Sequence, residues 1–226
     1  MTTRIGLLLF PRLTQLDLTG PYEVFARLAD AQVLLVGLGE VRSDTGLRLQ
    51  PDVGYGDAPQ LDVICVPGGP GVNDAMEDEA LLRFLRAQAE SAAWVTSVCT
   101  GALVLGAAGL LRGYRATTHW LSLDLLTPFG ATPVRERVVI DRNRATGGGV
   151  TAGIDFGLRL ASELRGEKVA QAIQLLMEYD PAPPFQAGSP RLADPALVES
   201  VSAARRGLND ERRRVVERAA GKLDLG

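Results

Sequence analysis

The sequence predicts a doubly wound α/β sandwich, and three observations carry that expectation. Short, nearly uninterrupted apolar runs recur along the chain, as strands buried on both faces of a parallel sheet require. Segments of helical spacing alternate with them, which is the order of a sheet covered by helices on both sides. Glycine-rich turns punctuate the two, at Pro67-Gly68-Gly69-Pro70-Gly71 and at Gly147-Gly148-Gly149. With 226 residues, 46% hydrophobic and 23% charged, the chain can bury one sizeable core. We read one α/β domain over residues 1–190 and a C-terminal helical extension over 191–226, packed on the domain or on a dimer partner.

The elements follow in order. Arg4-Ile5-Gly6-Leu7-Leu8-Leu9-Phe10, stopped by Pro11, predicts the first buried strand. Thr19-Gly20-Pro21 reads as the start of the first helix, because proline suits the first helical position, where its missing N–H costs nothing. That reading leaves Asp17 on the loop before the helix. Gln32 to Leu38 predicts a second strand, the polar stretch to Leu49 a hairpin or irregular excursion, and Asp62-Val63-Ile64-Cys65-Val66 a third strand. Leu81, Leu82, Leu85 and Ala89 give Glu79 to Ser91 helical spacing. Trp94-Val95-Thr96-Ser97-Val98 is apolar and β-branched, whereas the small and aliphatic residues after Cys99 read as helix, so the period changes at the cysteine itself. Arg137 to Asp141 and Arg144 to Thr146 predict a two-stranded ribbon, and Ile154 to Leu164 and Val169 to Glu178 predict helices with core-facing stripes. The proline-rich segment 179–190 reads as an ordered strap, since it suits neither a helix interior nor a central strand. Pro195 to Leu223 returns to helix, and its arginines, Arg212 among them, read as a solvated amphipathic face rather than a nucleic-acid contact.

Composition narrows function. A net charge of −3 leaves no basic footprint for nucleic acid. The apolar runs are too short to cross a bilayer and the N-terminus lacks the regions of a signal peptide, so a cytoplasmic protein without membrane contact is expected. The two cysteines form neither a metal spacing nor a disulfide framework, and the single histidine, His119, precludes a multi-histidine metal site. The Pro67–Gly71 turn lacks the lysine of a phosphate loop and the spacing of a dinucleotide fingerprint.

Cys99 is the candidate nucleophile. At a strand-to-helix turn the free N–H groups of the next helix point back at the side chain, and they are expected to favour thiolate over thiol. Gly101 removes bulk from what would be a crowded turn. The plainer alternative is a small apolar core residue. Asp17 is the better partner for the thiol, against a role as helix cap. His119 reads either as a base or as a packing and hydrogen-bonding residue beside Trp120.

These residues resemble a known family. Val98-Cys99-Thr100-Gly101, Pro67-Gly68-Gly69 and Gln15-Leu16-Asp17-Leu18-Thr19-Gly20-Pro21 are similar to blocks of the ThiJ/PfpI superfamily of flavodoxin-like cysteine proteins, with Ala116 to Trp120, Thr146 to Phe156 and Glu178 to Pro190 extending the likeness. Aspartate at position 17 and threonine at 100 depart from the glyoxalase and peptidase branches and agree with the isocyanide hydratase branch. The resemblance implies a cysteine nucleophile at Cys99 on a nucleophile elbow, an essential acid at Asp17, and a substrate-binding or oxyanion backbone from Thr100, Gly69, Gly149 and Val150. It implies a homodimer and no cofactor or metal. The activity implied is addition of Cys99 to the terminal carbon of a small, apolar isocyanide, with a proton passed through Asp17 to the nitrogen, then hydrolysis of the thioimidate to an N-substituted formamide. The other reading is a redox or small-molecule sensor using Cys99, since related domains form the sensor half of AraC-type regulators.

Overall fold

The computed structural model describes residues 2–223. Along the chain run β1 (Thr3–Leu8), α1 (Gln15–Phe25), β2 (Ala31–Val36) and the short pair β3 (Val41–Arg42) and β4 (Arg48–Leu49). Next come β5 (Val63–Val66), α2 (Val72–Ala75), α3 (Glu79–Ala89), β6 (Trp94–Val98) and α4 (Gly101–Ala107). Strands β7 (Arg115–Ala116) and β8 (Thr132–Pro133) flank a 3-10 segment, Trp120–Phe129, and β9 (Val138–Asp141) and β10 (Arg144–Gly147) form a hairpin. Helices α5 (Ala152–Arg165), α6 (Glu167–Leu176), α7 (Pro195–Ala204) and α8 (Arg206–Leu223) follow.

One six-stranded sheet, in the order β2-β1-β5-β6-β10-β9, forms the centre. All neighbours are parallel except β9 against β10. Strands β5 and β10 are buried along their whole length, as are β1 from Ile5 and β6 from Val95 onward, and β5 exposes none of Val63, Ile64, Cys65 or Val66. This is why they read as continuous apolar runs instead of alternating ones. The chain leaves β1 toward β2 on one side and continues to β5 on the other, so the strand order reverses between β1 and β5. Loops leaving the carboxyl ends on either side of such a reversal frame a crevice. Here the first turn of α1 brings Asp17 and the loop after β5 brings Gly68-Gly69, with Cys99 next in line after β6.

Helices cover both faces of the sheet. On one side α1 packs on α5 and α5 on α6, with the rings of Phe25 and Phe156 edge to face at 6.1 Å. On the other, α4 packs against α3, α8 and the 3-10 segment. From α8, Val215, Val216 and Ala219 enter the same core as the sheet residues. The extension after Pro190 thus meets the α/β body through its last helix, whereas α7 buries no residue. Residues 224–226 of the expected extension lie outside the described residues.

The first helix departs from the sequence reading. It begins at Gln15, not at Pro21, so Pro21 lies inside it and Asp17 sits in its first turn and not on a loop. A proline within a helix forfeits one backbone bond and costs roughly 3 kcal/mol. Tertiary packing offsets that cost: a β-carbon on Gly153 of α5 would come within 3.0 Å of Pro21 Cδ, and one on Gly157 within 3.0 Å of Val24 Cβ. The close approach of α1 to α5 selects glycine on one helix and tolerates proline on the other. The stretch 120–135, for which the sequence suggested no element, holds the 3-10 segment and β8.

Candidate active site

The turn after β6 is held from several directions. Val98 is the last paired residue of β6, opposite Gly147 of β10. Cys99 then adopts φ +54°, a left-handed conformation that strains a residue with a side chain by about 1–2 kcal/mol. Its N–H donates to the carbonyls of Gly147 (3.0 Å) and Gly148 (2.8 Å), and its carbonyl accepts the Thr118 hydroxyl at 2.8 Å. The neighbouring glycine has a steric reason, because a β-carbon on Gly101 would overlap the Val66 carbonyl. The period change in the sequence therefore marks a true elbow, with Cys99 at its apex.

The first turn of α1 delivers Asp17 to the same point. Gly68 lies between the two: a β-carbon there would sit 2.8 Å from both Asp17 Oδ2 and Cys99 Cβ, and 2.5 Å from the Thr100 nitrogen. Asp17 is fully buried. Its Oδ2 accepts the Gly68 N–H at 3.1 Å, its Oδ1 has no N–H or O–H donor among the described residues, and the carboxyl shares a hydrogen bond with the Cys99 thiol. Burial pushes the Asp17 carboxyl up to about 7, against the opposing pull of the Cys99 and Gly68 hydrogen bonds and with a further push from Asp44. It caps no helix through its side chain.

The thiol itself contradicts one expectation. Burial, and then the adjacent Asp17 carboxylate, raise Cys99 well above an ordinary cysteine, although the N–H and hydroxyl of Thr100 favour its anion. The positive end of α4, a helix of only seven residues, does not outweigh this burial. At rest Cys99 is a thiol beside an acid that titrates near neutrality, not a standing thiolate. Cys65 is a buried thiol in β5, pushed up to about 12 chiefly by burial, and stands inside the core.

Thr100 and Gly69 meet beside the elbow. The Gly69 N–H donates to Thr100 Oγ1 at 3.0 Å, and that hydroxyl lies 3.3 Å from the Gly69 carbonyl. Gly149 lies against the His119 ring, where a β-carbon would come within 3.2 Å of Cδ2. The carbonyls of Gly149 and Val150 accept the first N–H groups of α5, from Ala152 and Gly153, while the backbone that bonds to Cys99 is that of Gly147 and Gly148. His119 opens the 3-10 segment, its Nδ1 accepting the Leu121 N–H at 3.3 Å. Burial and the charges of Arg212 and Arg205 lower it to about 4, so the imidazole is neutral with its proton on Nε2. That nitrogen is a donor, which suits a capping and wall-forming residue better than a base.

With that geometry in place, comparison with known proteins is informative. The DJ-1/PfpI family pattern matches residues 3–163. The chain belongs to the DJ-1/PfpI family. An isonitrile hydratase of Pseudomonas putida is 57% identical over 227 residues, covering all of both chains. The crystal structure of a ThiJ/PfpI family protein from Pseudomonas syringae superposes with a TM-score of 0.93 at 42% identity, over 96% of this chain and 91% of that one. The HTH-type transcriptional regulator GbdR of Pseudomonas aeruginosa is 36% identical over 143 residues, which cover 62% of this chain and 39% of the regulator.

One residue near this DJ-1/PfpI site escaped the sequence reading. Arg212 of α8, assigned there to a solvated face, is 4% exposed. Its Nε donates to Asn73 Oδ1 (3.1 Å), Nη1 to Ser122 Oγ (3.2 Å) and Nη2 to the Gly69 carbonyl (3.3 Å). The signal was the register: Arg212, Val215, Val216 and Ala219 fall at i, i+3, i+4 and i+7, the spacing of one helix face. An arginine on an apolar stripe is a buried arginine.

Proposed function

We propose that the protein is an isocyanide (isonitrile) hydratase, with Cys99 as nucleophile and Asp17 as proton relay. The observation that carries the reading is the buried, hydrogen-bonded pair of thiol and carboxyl at the elbow, the carboxyl titrating near 7. Such a pair holds one transferable proton where a neutral substrate meets sulfur. Full-length identity to the Pseudomonas putida isonitrile hydratase supports the substrate class.

The steps follow from where electrons sit in R–N≡C. The lone pair of an isocyanide is on its terminal carbon, so carbon both accepts sulfur and receives the proton, in place of the nitrogen named in the sequence reading. The Cys99 S–H proton passes to the Asp17 carboxylate, the sulfur–carbon bond forms, and Asp17 returns the proton to that carbon, giving R–N=CH–S–Cys99. The amide N–H groups and hydroxyl at Thr100, with the Gly68-Gly69 and Gly149-Val150 backbone, orient the adduct. Water adds to the thioimidate carbon with a proton going to nitrogen. Collapse of that adduct expels the thiol and releases R–NH–CHO. No charged group on R is needed, which fits a pocket that binds a small apolar molecule. The enzyme is read as cytoplasmic and as acting without a cofactor; among the described residues no helix is long and apolar enough to cross a membrane.

The reading includes a homodimer formed partly through elements around the first helix and the C-terminal segment. Tyr22 of α1 is exposed, and apolar side chains such as Leu175, Leu176, Phe185 and Leu197 stand in solvent between α6 and α7. Covering such exposed apolar side chains with a partner removes them from water, which favours association. Incubation with an alkyl or aryl isocyanide, followed by quantifying formamide, tests the activity. Turnover by the wild type and none by Cys99→Ala is the expected result; reversible Cys99 oxidation with no formamide would establish the sensor reading instead.

A further inference from the structure

Arg212 is a buried cation with neutral acceptors alone. Among the described residues its three hydrogen bonds go to an amide, a hydroxyl and a carbonyl, and no carboxylate lies within ion-pair distance. Burying a guanidinium this way is costly, and such charges are ordinarily paired. The cost has a local beneficiary. The carbonyl it grips belongs to Gly69, in the turn whose two N–H groups donate to Asp17 Oδ2 and to Thr100 Oγ1. Its other two bonds reach Asn73 of α2 and Ser122 of the 3-10 segment, so one side chain ties the elements on both flanks of the elbow.

We propose that Arg212 is a positioning residue that supplies the site's fixed positive charge, stabilising the anionic sulfur of Cys99 while holding the Gly68-Gly69 turn against Asp17 and Thr100. Two observations support the electrostatic part. The charge of Cys99 acts back on Arg212, partly opposing the lowering that burial imposes on the guanidinium. The geometry agrees: Arg212 Nη2 and the Thr100 hydroxyl both donate to the Gly69 carbonyl, at 3.3 Å each, so one shared acceptor separates the guanidinium from the residue next to Cys99. The charged and titratable neighbours are few. Asp17 of α1 faces Cys99 from one side and opposes its ionisation, Asp44 acts on Asp17, Asp17 acts on Cys65, and His119 is kept neutral by burial and by the charges of Arg212 and Arg205. Arg212 reaches the Gly69 turn from α8, so the C-terminal extension contributes a residue to the surroundings of the elbow.

The proposal rests on the hydratase reading only for the purpose of the anion, and its test does not need turnover. The rate of Cys99 carbamidomethylation by iodoacetamide is followed from pH 7 to 12, the range in which a thiol held above the ordinary cysteine value ionises, with the modified residue located by mass spectrometry. Arg212→Gln removes the charge. Asn73→Asp keeps the guanidinium in place but pairs it, and so tests the charge in a protein whose anchor is intact. Both are expected to move the midpoint of the rate profile up by about one pH unit or more, the effect of losing one nearby opposite charge. Arg212→Lys, which keeps the charge and loses the fork, is expected to leave the midpoint close to wild type while weakening the hold on Gly69. An unmoved midpoint in folded Arg212→Gln or Asn73→Asp would overturn the proposal, as would a shift in Arg212→Lys as large as in Arg212→Gln. Formamide production is scored separately, so a protein that titrates as expected yet turns over no isocyanide counts against the hydratase reading alone.

Discussion

At the scale of single residues, the site is a proton shared between two groups that burial has moved in the same direction. Asp17 and Cys99 are both pushed toward their neutral forms, and ionising either makes ionising the other harder. Asp17→Asn keeps the shape and the acceptor for the Gly68 N–H but has no proton to exchange, so turnover is expected to fall at least about a hundredfold. The same substitution separates relay from cap by its effect on stability. The folded state holds the Asp17 proton more tightly than the unfolded chain, from 3.8 to about 7. Its stabilising effect is therefore complete below about pH 4 and is lost as pH rises through about 7, a change of at most about 4 kcal/mol. The melting temperature of Asp17→Asn minus that of the wild type should thus grow between pH 4 and 7 and then level. A difference that is flat with pH would mean that Asp17 is an ordinary carboxylate. Cys99→Ser and Cys99→Ala are expected to fold and to lose turnover, because the strained backbone is held by Gly147, Gly148 and Thr118 and not by the sulfur.

At the scale of elements, the elbow depends on absent atoms as much as on present ones. A methyl group on Gly101 would overlap the Val66 carbonyl and come within 2.7 Å of the Pro67 carbonyl, so either α4 or the end of β5 must shift. Gly101→Ala is expected to cost about 1–3 kcal/mol as overpacking does and to reduce turnover as well, by displacing Cys99 from Asp17. Gly39→Ala, where nothing lies within 4 Å, should leave melting and turnover unchanged within about 0.5 kcal/mol. Thermal melts and formamide assays on the pair check this. The same elements explain what was readable in the chain. Strands β5 and β6 were legible because buried parallel strands are written as contiguous apolar residues, and Cys99 because the period changes on it. Asp17 was found, but its helix was started six residues late. Proline's preference for a first turn is a local signal, and the packing of Pro21 against Gly153 is a contact between residues far apart in sequence. Arg212 was missed for a similar reason: charge balance along α8 is visible in composition, while burial of one arginine depends on what the helix lies against.

At the scale of the molecule, the chain leaves an apolar surface that its own fold does not cover. Leu175 and Leu176 at the end of α6 are 82% and 73% exposed, and Phe185 in the strap 78%. Covering each such side chain contributes about 1.5–3 kcal/mol, so a few of them from each subunit, doubled by a two-fold axis, supply a stable interface. Light scattering at micromolar concentration is expected to give twice the monomer mass. Leu176→Glu combined with Phe185→Ser should shift the protein toward monomer without lowering the melting temperature measured at high dilution, since neither side chain belongs to the core. A dimer that persists in the double variant would leave the contact to the other proposed elements, the face of α1 that carries Tyr22 and the C-terminal segment, without α6 and the strap. A monomeric wild type would instead leave α6 and the strap as exposed surface and the proposed dimer without support. The two sites in the chain are far enough apart in function to be scored independently: Cys99, Asp17 and Arg212 all lie within one chain, so the monomeric variant is expected to retain the Cys99 titration midpoint of the wild type.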